Sequence, residues 1–524
     1  MPRCPYCLSP NPAHSSICYS CGRVVLGTSG MKIRVGVPTP GGDLVHRARR
    51  GPPPGLNVRR VGSETYGRRN RKSKSNVRTM VLVVAIAFLF LFTPAQERVS
   101  NQLQKWMDAL LEEFGPAREY PVQASYSVQR SVQLDNPTNS HSISFRYELP
   151  IPEIRTDFGN SESGFEMFDG ALIPAVTLQE VTSMILNISG AENQIPVPLH
   201  EEYLIEEDAI VLSSTSEVYW PPVGQSSDRC SVDRCVIWQG DIPAGQSIIL
   251  LVRYDVWGSS FTWWGGDRAP DEAPRSTQGF SIDSSNSGTY TDYQRSGKLN
   301  TMYDQFGVHK QWYDRNPGPA NNWAIDGTHS VVVALADEVA SGLSAEQEDD
   351  PFAFAHAAFI KIRDSITYNI GTQPARSGPS CISDGRGDCD EQSNAWMSLL
   401  RTRNIPAWYE FGPLASSEFN LWEPHAWANA IFPLDSDWCA MQGIVLEACF
   451  IEGEVDVVNN RWLLHTPTTM TEWIEDPSTG GEAAYDFYRP LSIGCANCWG
   501  ETWKTVDGPY IYGGTFRVPV ITGE

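Results

Sequence analysis

"GRGDCDEQSNAWMSLLRTRNIPAW", residues 385–408, decides how the rest of the chain is read. A cysteine, Cys389, stands between acids directly ahead of a stretch that reads as an amphipathic helix. Gly387 supplies a turn, Asp388 is placed to cap, and residues 394–400 carry the apolar face. A thiolate at a helix N-terminus is stabilised by the helix dipole and by backbone N–H groups that lack intrahelical partners. The same cysteine can also be read as half of a disulfide or as a small buried hydrophobe. A nucleophilic cysteine needs an imidazole, itself oriented by a third group. "EPHAWANAIFP", residues 423–433, places His425 at the start of an alternating strand, and "EGEVDVVNNRW", residues 452–462, places Asp456 on what reads as the following strand. Adjacent strands bring such side chains together, facing the end of the Cys389 helix.

"GDCDEQSNAWMSLLRTRNIPAWYEFG" followed by "HAWANAIFP" resembles the transglutaminase-like superfamily, in its membrane-associated prokaryotic form. The shared pattern is a Gly-x-Cys at a helix start, Leu-Leu-Arg, a turn of the Gly-Ile-Pro-Ala kind, then His-Ala-Trp on a strand. The resemblance covers residues 325–480 and implies a papain-like fold. It also implies Cys389 as nucleophile, His425 as base and an acid on the next strand. Asp456 is the acid carried over, with Asp476 in "WIEDPSTG" as runner-up. Two departures stand out. Asn404 replaces the usual glycine before Ile-Pro, a mild change because Asn tolerates left-handed backbone. An insertion, "LDSDWCAMQGIVLEACF", separates the histidine strand from the acid.

The 524 residues exceed one average domain. Their net charge of -22 conceals a division. Residues 1–79 hold 15 Lys/Arg against two acids, while the remainder holds 25 basic and 60 acidic residues. The boundary is "TMVLVVAIAFLFLFTPA", residues 79–95, with no charged side chain. At about 1.5 Å per residue it reaches roughly 25 Å, enough for a short membrane helix. The upstream "RRNRKSKSNVR" sets the N-terminus on the cytoplasmic side and suits anionic lipid, so nucleic acid is not an expected partner.

"CPYCLSPNPAHSSICYSCG" spaces Cys4, Cys7, Cys18 and Cys21 as two Cys-x-x-Cys knuckles, the pattern of a closed structural Zn²⁺ site. The expected organisation is multidomain α+β: a zinc ribbon over 1–25, a disordered basic linker over 26–78, the transmembrane helix over 79–95, and a juxtamembrane helix over 96–118. Beyond these come a β-sandwich over 119–264, a connecting region over 265–324, the transglutaminase-like domain over 325–480, and a C-terminal extension over 481–524. The sandwich is read from short alternating runs such as "SISFRYELP" and "SIILLVRYDVW".

Eight cysteines lie beyond the apolar segment, where an oxidising exterior permits disulfides. Cys230 with Cys235, Cys439 with Cys449, and Cys495 with Cys498 make local pairs and leave Cys381 and Cys389 over; a bond between those two is the main structural alternative to catalysis. "RGD" at 386–388 serves the helix start rather than adhesion, and "CANC" at 495–498 reads as a tight disulfide rather than a redox pair. Two functions follow. One is a membrane-anchored external cysteine enzyme that hydrolyses or transfers acyl groups of a protein or peptide substrate through a thioester. The other is a non-catalytic surface scaffold whose zinc ribbon recruits a cytoplasmic protein. No Asp-x-Asp-x-Asp-Gly loop calls for calcium.

Overall fold

The computed structural model describes residues 117–519, apart from 159–164, 191–193, 200–207, 221–233, 266–280, 304–311, 314–322, 370–376, 475–490, 493–497 and a few single positions. The zinc ribbon, the linker, the apolar segment 79–95 and nearly all of the expected juxtamembrane helix lie outside the described residues. Among the described residues no helix is long and apolar enough to cross a membrane.

Alternation builds the sandwich. Strand β1 (Ala117–Asp135) buries Ala124, Tyr126, Val128, Arg130, Val132 and Leu134 on one face, a period of two over more than ten residues. β2 (Ile143–Pro150) does the same with Ile143, Phe145, Tyr147 and Leu149. The further long strands are β3 (Thr177–Ile188), β4 (Asp208–Ser213), β5 (Ser216–Trp220), β6 (Cys235–Ile242) and β7 (Ser247–Ser259). One sheet contains β1, β7 and β3 in that order, and the other contains β2, β6, β5 and β4. Their inner faces share one core that includes Val128, Phe145, Trp238 and Val252.

The sandwich is not complete within 119–264. A last strand, Trp499–Pro519, lies antiparallel along β1 from the Ala117–Pro519 pair to the Leu134–Trp499 pair. The segment expected as a C-terminal extension therefore supplies the sheet's edge. Arg130 explains part of this closure. Its guanidinium is fully buried and bonds Glu472 at 3.2 Å, Glu501 at 2.7 Å and the Tyr147 hydroxyl at 2.9 Å. A buried charge is tolerated only with such partners.

The second half packs four helices on an antiparallel sheet. The helices are α1 (Ser330–Ser341), α2 (Pro351–Ser365), α3 (Gly378–Asp384) and α4 (Cys389–Arg401). The sheet runs, in spatial order, Arg461–Trp462, Phe450–Asp456, Trp422–Pro433, Ala407–Ala415 and Trp473–Ile474; in chain order we label these β8 (Ala407–Ala415), β9 (Trp422–Pro433), β10 (Phe450–Asp456), β11 (Arg461–Trp462) and β12 (Trp473–Ile474), with the C-terminal edge strand as β13. Every residue of α4 from Asp390 to Arg401 is buried, so the helix expected to be amphipathic is central. In the sheet, the buried Ala426, Ala428 and Ala430 are paired with Phe411, Tyr409 and Ala407. The Tyr409 hydroxyl bonds the Asp390 carbonyl at 3.2 Å and also reaches Asn394.

The region 265–324, expected as a mere connection, contributes to this core. Ile282, Tyr293 and Leu299 are fully buried, and the Tyr293 hydroxyl donates to the Ile431 carbonyl at 2.7 Å. Its polar composition hides a few well-spaced anchors. The sheet also locks onto the sandwich by polar contacts. Arg155 donates through Nη2 to Glu410 Oε2 at 3.1 Å, and the Gln179 amide exchanges hydrogen bonds with Thr471 N and O.

Candidate active site

The chain reaches Cys389 through a tightly fitted turn. α3 ends at Gly385, whose φ of 63° is left-handed and suits glycine. The turn expected at Gly387 is therefore made two residues earlier. Gly387 instead makes room, since a Cβ there would fall 2.6 Å from the Cys381 sulfur and 3.0 Å from the Glu391 side chain. Thr367–Tyr368 runs parallel to Arg386–Gly387 and pins this approach, with Thr367 N donating to Gly385 O and Asn369 N to Gly387 O. Asp388 is the N-cap and forms a capping box with Glu391, whose carboxylate accepts from Asp388 N at 3.1 Å. Gln392 Nε2 donates to the Gly387 carbonyl at 3.0 Å. Cys389 is thus held as the first residue of a rigid helix, partly exposed and with a free thiol.

His425 lies near the start of β9 and is buried. It stacks on Trp427 with ring centroids 5.7 Å apart. Its Nε2 lies 2.9 Å from Asp456 Oδ2, and Cys389 is near enough to add to the imidazole's basicity. The insertion does not disturb this meeting. β9 and β10 pair directly from Pro433–Phe450 to Ala428–Val455, so residues 434–449 form an excursion at the hairpin's tip. Within it, helix α5 (Ser436–Gln442) and a Cys439–Cys449 disulfide keep the excursion compact. Asp456 follows the Ala428–Val455 pair by one residue, which turns it to the face that carries His425 and Trp427.

The charges of the pair reinforce each other. Burial works against an imidazolium at His425, but the Asp456 carboxylate, and then Cys389, outweigh it and raise the imidazole from 6.5 to about 10. Burial also works against a charged Asp456, yet His425, Arg461 and Asn459 hold it down at about 2. Asp388 and Asp390 bring carboxylate oxygens within 4.8 Å of the Cys389 sulfur and of one another.

Of the residues singled out from sequence, Cys389, His425 and Asp456 converge. Asp476 and the four ribbon cysteines lie outside the described residues. Cys381 is buried, not disulfide-bonded, and sits behind Gly387. Three groups were missed. Asn459 donates through Nδ2 to Asp456 Oδ2 at 2.7 Å and through its backbone N to Oδ1 at 3.1 Å. Tyr368, half-exposed opposite Gly387, has its phenol held protonated by burial and by the charges of Cys389, Asp388, Glu423 and Asp456. The third is a second buried pair one layer below, in which His465 Nδ1 meets Glu454 at 2.7 Å and Arg155 bridges Glu454 and Glu410. Burial, and then Glu454, push Glu410 up to about 8 against the pull of Arg155. "VDVVNNRW" was the one local signal for Asn459; nothing local marked Tyr368.

Residues 334–443 match the family model of the transglutaminase-like superfamily. The match contains Cys389 and His425 and ends before Asp456. A solved structure described as "a Putative Cysteine Protease from Cytophaga hutchinsonii" is similar over 75% of this chain and 98% of that chain, at 11% identity and a TM-score of 0.37. No curated protein matches the chain.

Proposed function

We propose that the protein is a cysteine enzyme that cleaves or transfers acyl groups of amides through a thioester. Cys389 is its nucleophile, His425 its acid–base group and Asp456 the orienting acid. The observation that carries this reading is the 2.9 Å contact of His425 Nε2 with Asp456 Oδ2, made by an imidazole whose basicity Cys389 also raises. The Cys389 sulfur attacks the carbonyl carbon and the C=O π pair moves to oxygen. Collapse of that tetrahedral centre breaks the C–N bond as the imidazolium proton passes to the leaving nitrogen. Neutral His425 then takes a proton from water, or from an amine, as it attacks the thioester. The Cys389 sulfur leaves, giving an acid or a new amide. Backbone N–H groups of the first turn of α4 have no intrahelical partners and suit the transient oxyanion. The Tyr368 hydroxyl offers a further donor at the same rim.

The substrate class follows from the proposed address. The basic flank of 79–95 and the acidic composition beyond it support a single-pass anchor in the bilayer, with the catalytic half facing outward onto a protein or peptide. The buried Cys439–Cys449 disulfide suits an oxidising exterior. The thiolate donor set of Cys4, Cys7, Cys18 and Cys21 suits a structural Zn²⁺ on the cytoplasmic side, where the ribbon would dock a protein partner. The non-catalytic scaffold reading loses its main support, a Cys381–Cys389 disulfide. Exposure of the full chain to a peptide mixture, followed by acid quench and peptide mapping, tests the chemistry. A hydroxylamine-labile acyl mass on Cys389, absent from Cys389→Ala, is expected. No such adduct, together with alkylation of Cys389 no faster than that of a simple thiol, would sink the enzymatic reading.

A further inference from the structure

The donor that holds Asp456 has an orientation problem. Asn459 Nδ2 donates to Asp456 Oδ2 at 2.7 Å and lies 3.3 Å from His425 Nε2. A side-chain amide is nearly symmetric in shape but not in chemistry. Turned over, it would set Oδ1 against a carboxylate and withdraw the donor. Arg118, near the start of β1, removes the ambiguity, because its Nη1 donates to Asn459 Oδ1. A guanidinium has donors only, so it is satisfied only when Oδ1 faces it and Nδ2 faces Asp456. Two residues along the same face of β1, Tyr120 holds the other side of the turn. Its hydroxyl accepts from Arg461 Nε at 3.3 Å, and that guanidinium lies 4.7 Å over the Tyr120 ring. Arg461 is among the charges that keep Asp456 ionised.

We propose that Arg118 is a positioning residue for the reaction: through Asn459 it fixes the hydrogen bond that seats Asp456 against His425, so the first strand of the sandwich completes the active site of the second half. This rests on the reading of Cys389, His425 and Asp456 as the catalytic set. It gives the sandwich a part in catalysis that a mere support would not have, and it places that part at the point where the chain enters the sandwich.

The test uses the full chain and the rate of Cys389 alkylation by iodoacetamide at pH 5 relative to pH 8. Arg118 is exposed, so Arg118→Ala is expected to keep its thermal midpoint while the rate ratio falls about three- to tenfold, the worth of one ordinary solvent-facing hydrogen bond. Arg118→Lys, which also only donates, restores most of the ratio. Asn459→Ala lowers the ratio at least as far, and adding Arg118→Ala to it lowers it no further, because Arg118 acts through Asn459. An unchanged ratio in Arg118→Ala, or additive losses in the double variant, overturns the proposal. His425→Ala separates the two readings. If it lowers the ratio and Arg118→Ala does not, this inference fails alone; if it leaves the ratio unchanged, the catalytic reading fails and takes this one with it.

Discussion

Asp456→Asn isolates the electrostatic part of the site with little change of shape. The amide oxygen can still accept from His425 Nε2, so the imidazole keeps a partner while the buried negative charge is lost. His425 stands at about 10 rather than 6.5. At roughly 1.4 kcal/mol per pH unit this is a preference of roughly 5 kcal/mol for the imidazolium. Asp456 supplies more of it than Cys389 does, so about 3 kcal/mol should disappear with the charge, a factor on the order of 100. The imidazolium beside Cys389, Asp388 and Asp390 then loses its support. Alkylation of Cys389 at pH 5, followed by mass spectrometry of the Cys389 peptide, should slow by about that factor. At pH 9 the variant should come closer to the native rate. Turnover should fall by on the order of 100 to 10,000, because the tautomer and pose of the imidazole are also loosened. Native-like alkylation of Asp456→Asn at pH 5 would refute the reasoning, since it would mean that the aspartate does not govern the charge of His425.

Tyr368→Phe removes only a hydroxyl from the rim; it is expected to cut kcat about tenfold or more while leaving Cys389 alkylation within twofold, the split that marks a donor to the oxyanion rather than to the thiol. Stability should track the His425–Asp456 pair. The raised imidazole contributes fully below about pH 6.5 and loses its contribution as pH rises through about 10, and the depressed carboxyl contributes above about pH 4 and loses it as pH falls through about 2. Urea midpoints should therefore differ most between the native chain and Asp456→Asn near pH 5, and least near pH 10; a difference that grows with pH would contradict the assigned signs. Metal analysis of the full chain should find roughly one Zn²⁺, lost on replacing Cys4 and Cys7 by Ser. Protease added outside intact cells should consume the chain beyond about residue 96 and spare the first 78; the reverse pattern would invert the orientation.

What the sequence shows about this molecule is mostly what a short window can hold. The capping residues Asp388 and Glu391, the helix after them, the alternation of β1 and β2, and the left-handed tolerance of Asn404 (φ 57°) are all local facts. Cys389, His425 and Asp456 were legible because each stands at the end of a local element with a recognisable pattern. Tyr368 and Arg118 were not, because their meaning comes from a neighbour: Gly387 across a two-residue parallel pairing, and Asn459 across 341 positions. The glycines show the same limit. Sequence places a turn near Gly387, but only packing tells that Gly385 bends the chain while Gly387 makes room for Cys381.

Arg130 is the instructive case, since its signal is local and its answer is not. It occupies an inward position in the run Val128-x-Arg130-x-Val132, where the period of two demands an apolar side chain. A buried guanidinium costs several kcal/mol unless carboxylates meet it. Neither of its carboxylates comes from the segment expected to form the sandwich: Glu472 lies 342 positions on, and Glu501 lies 371. In the structure the violation of the pattern is met by chain from elsewhere, which also closes the sandwich. The two partners arrive by different routes, Glu472 just ahead of β12 in the sheet that carries His425 and Glu501 on the edge strand β13. One buried arginine therefore ties the sheet that carries the histidine to both early and late strands of the sandwich. The same geometry lets Arg118 reach Asn459 from the strand that holds Arg130: the sandwich is fixed against the sheet that carries His425 at two depths along β1, which is what the proposed positioning contact at its end requires.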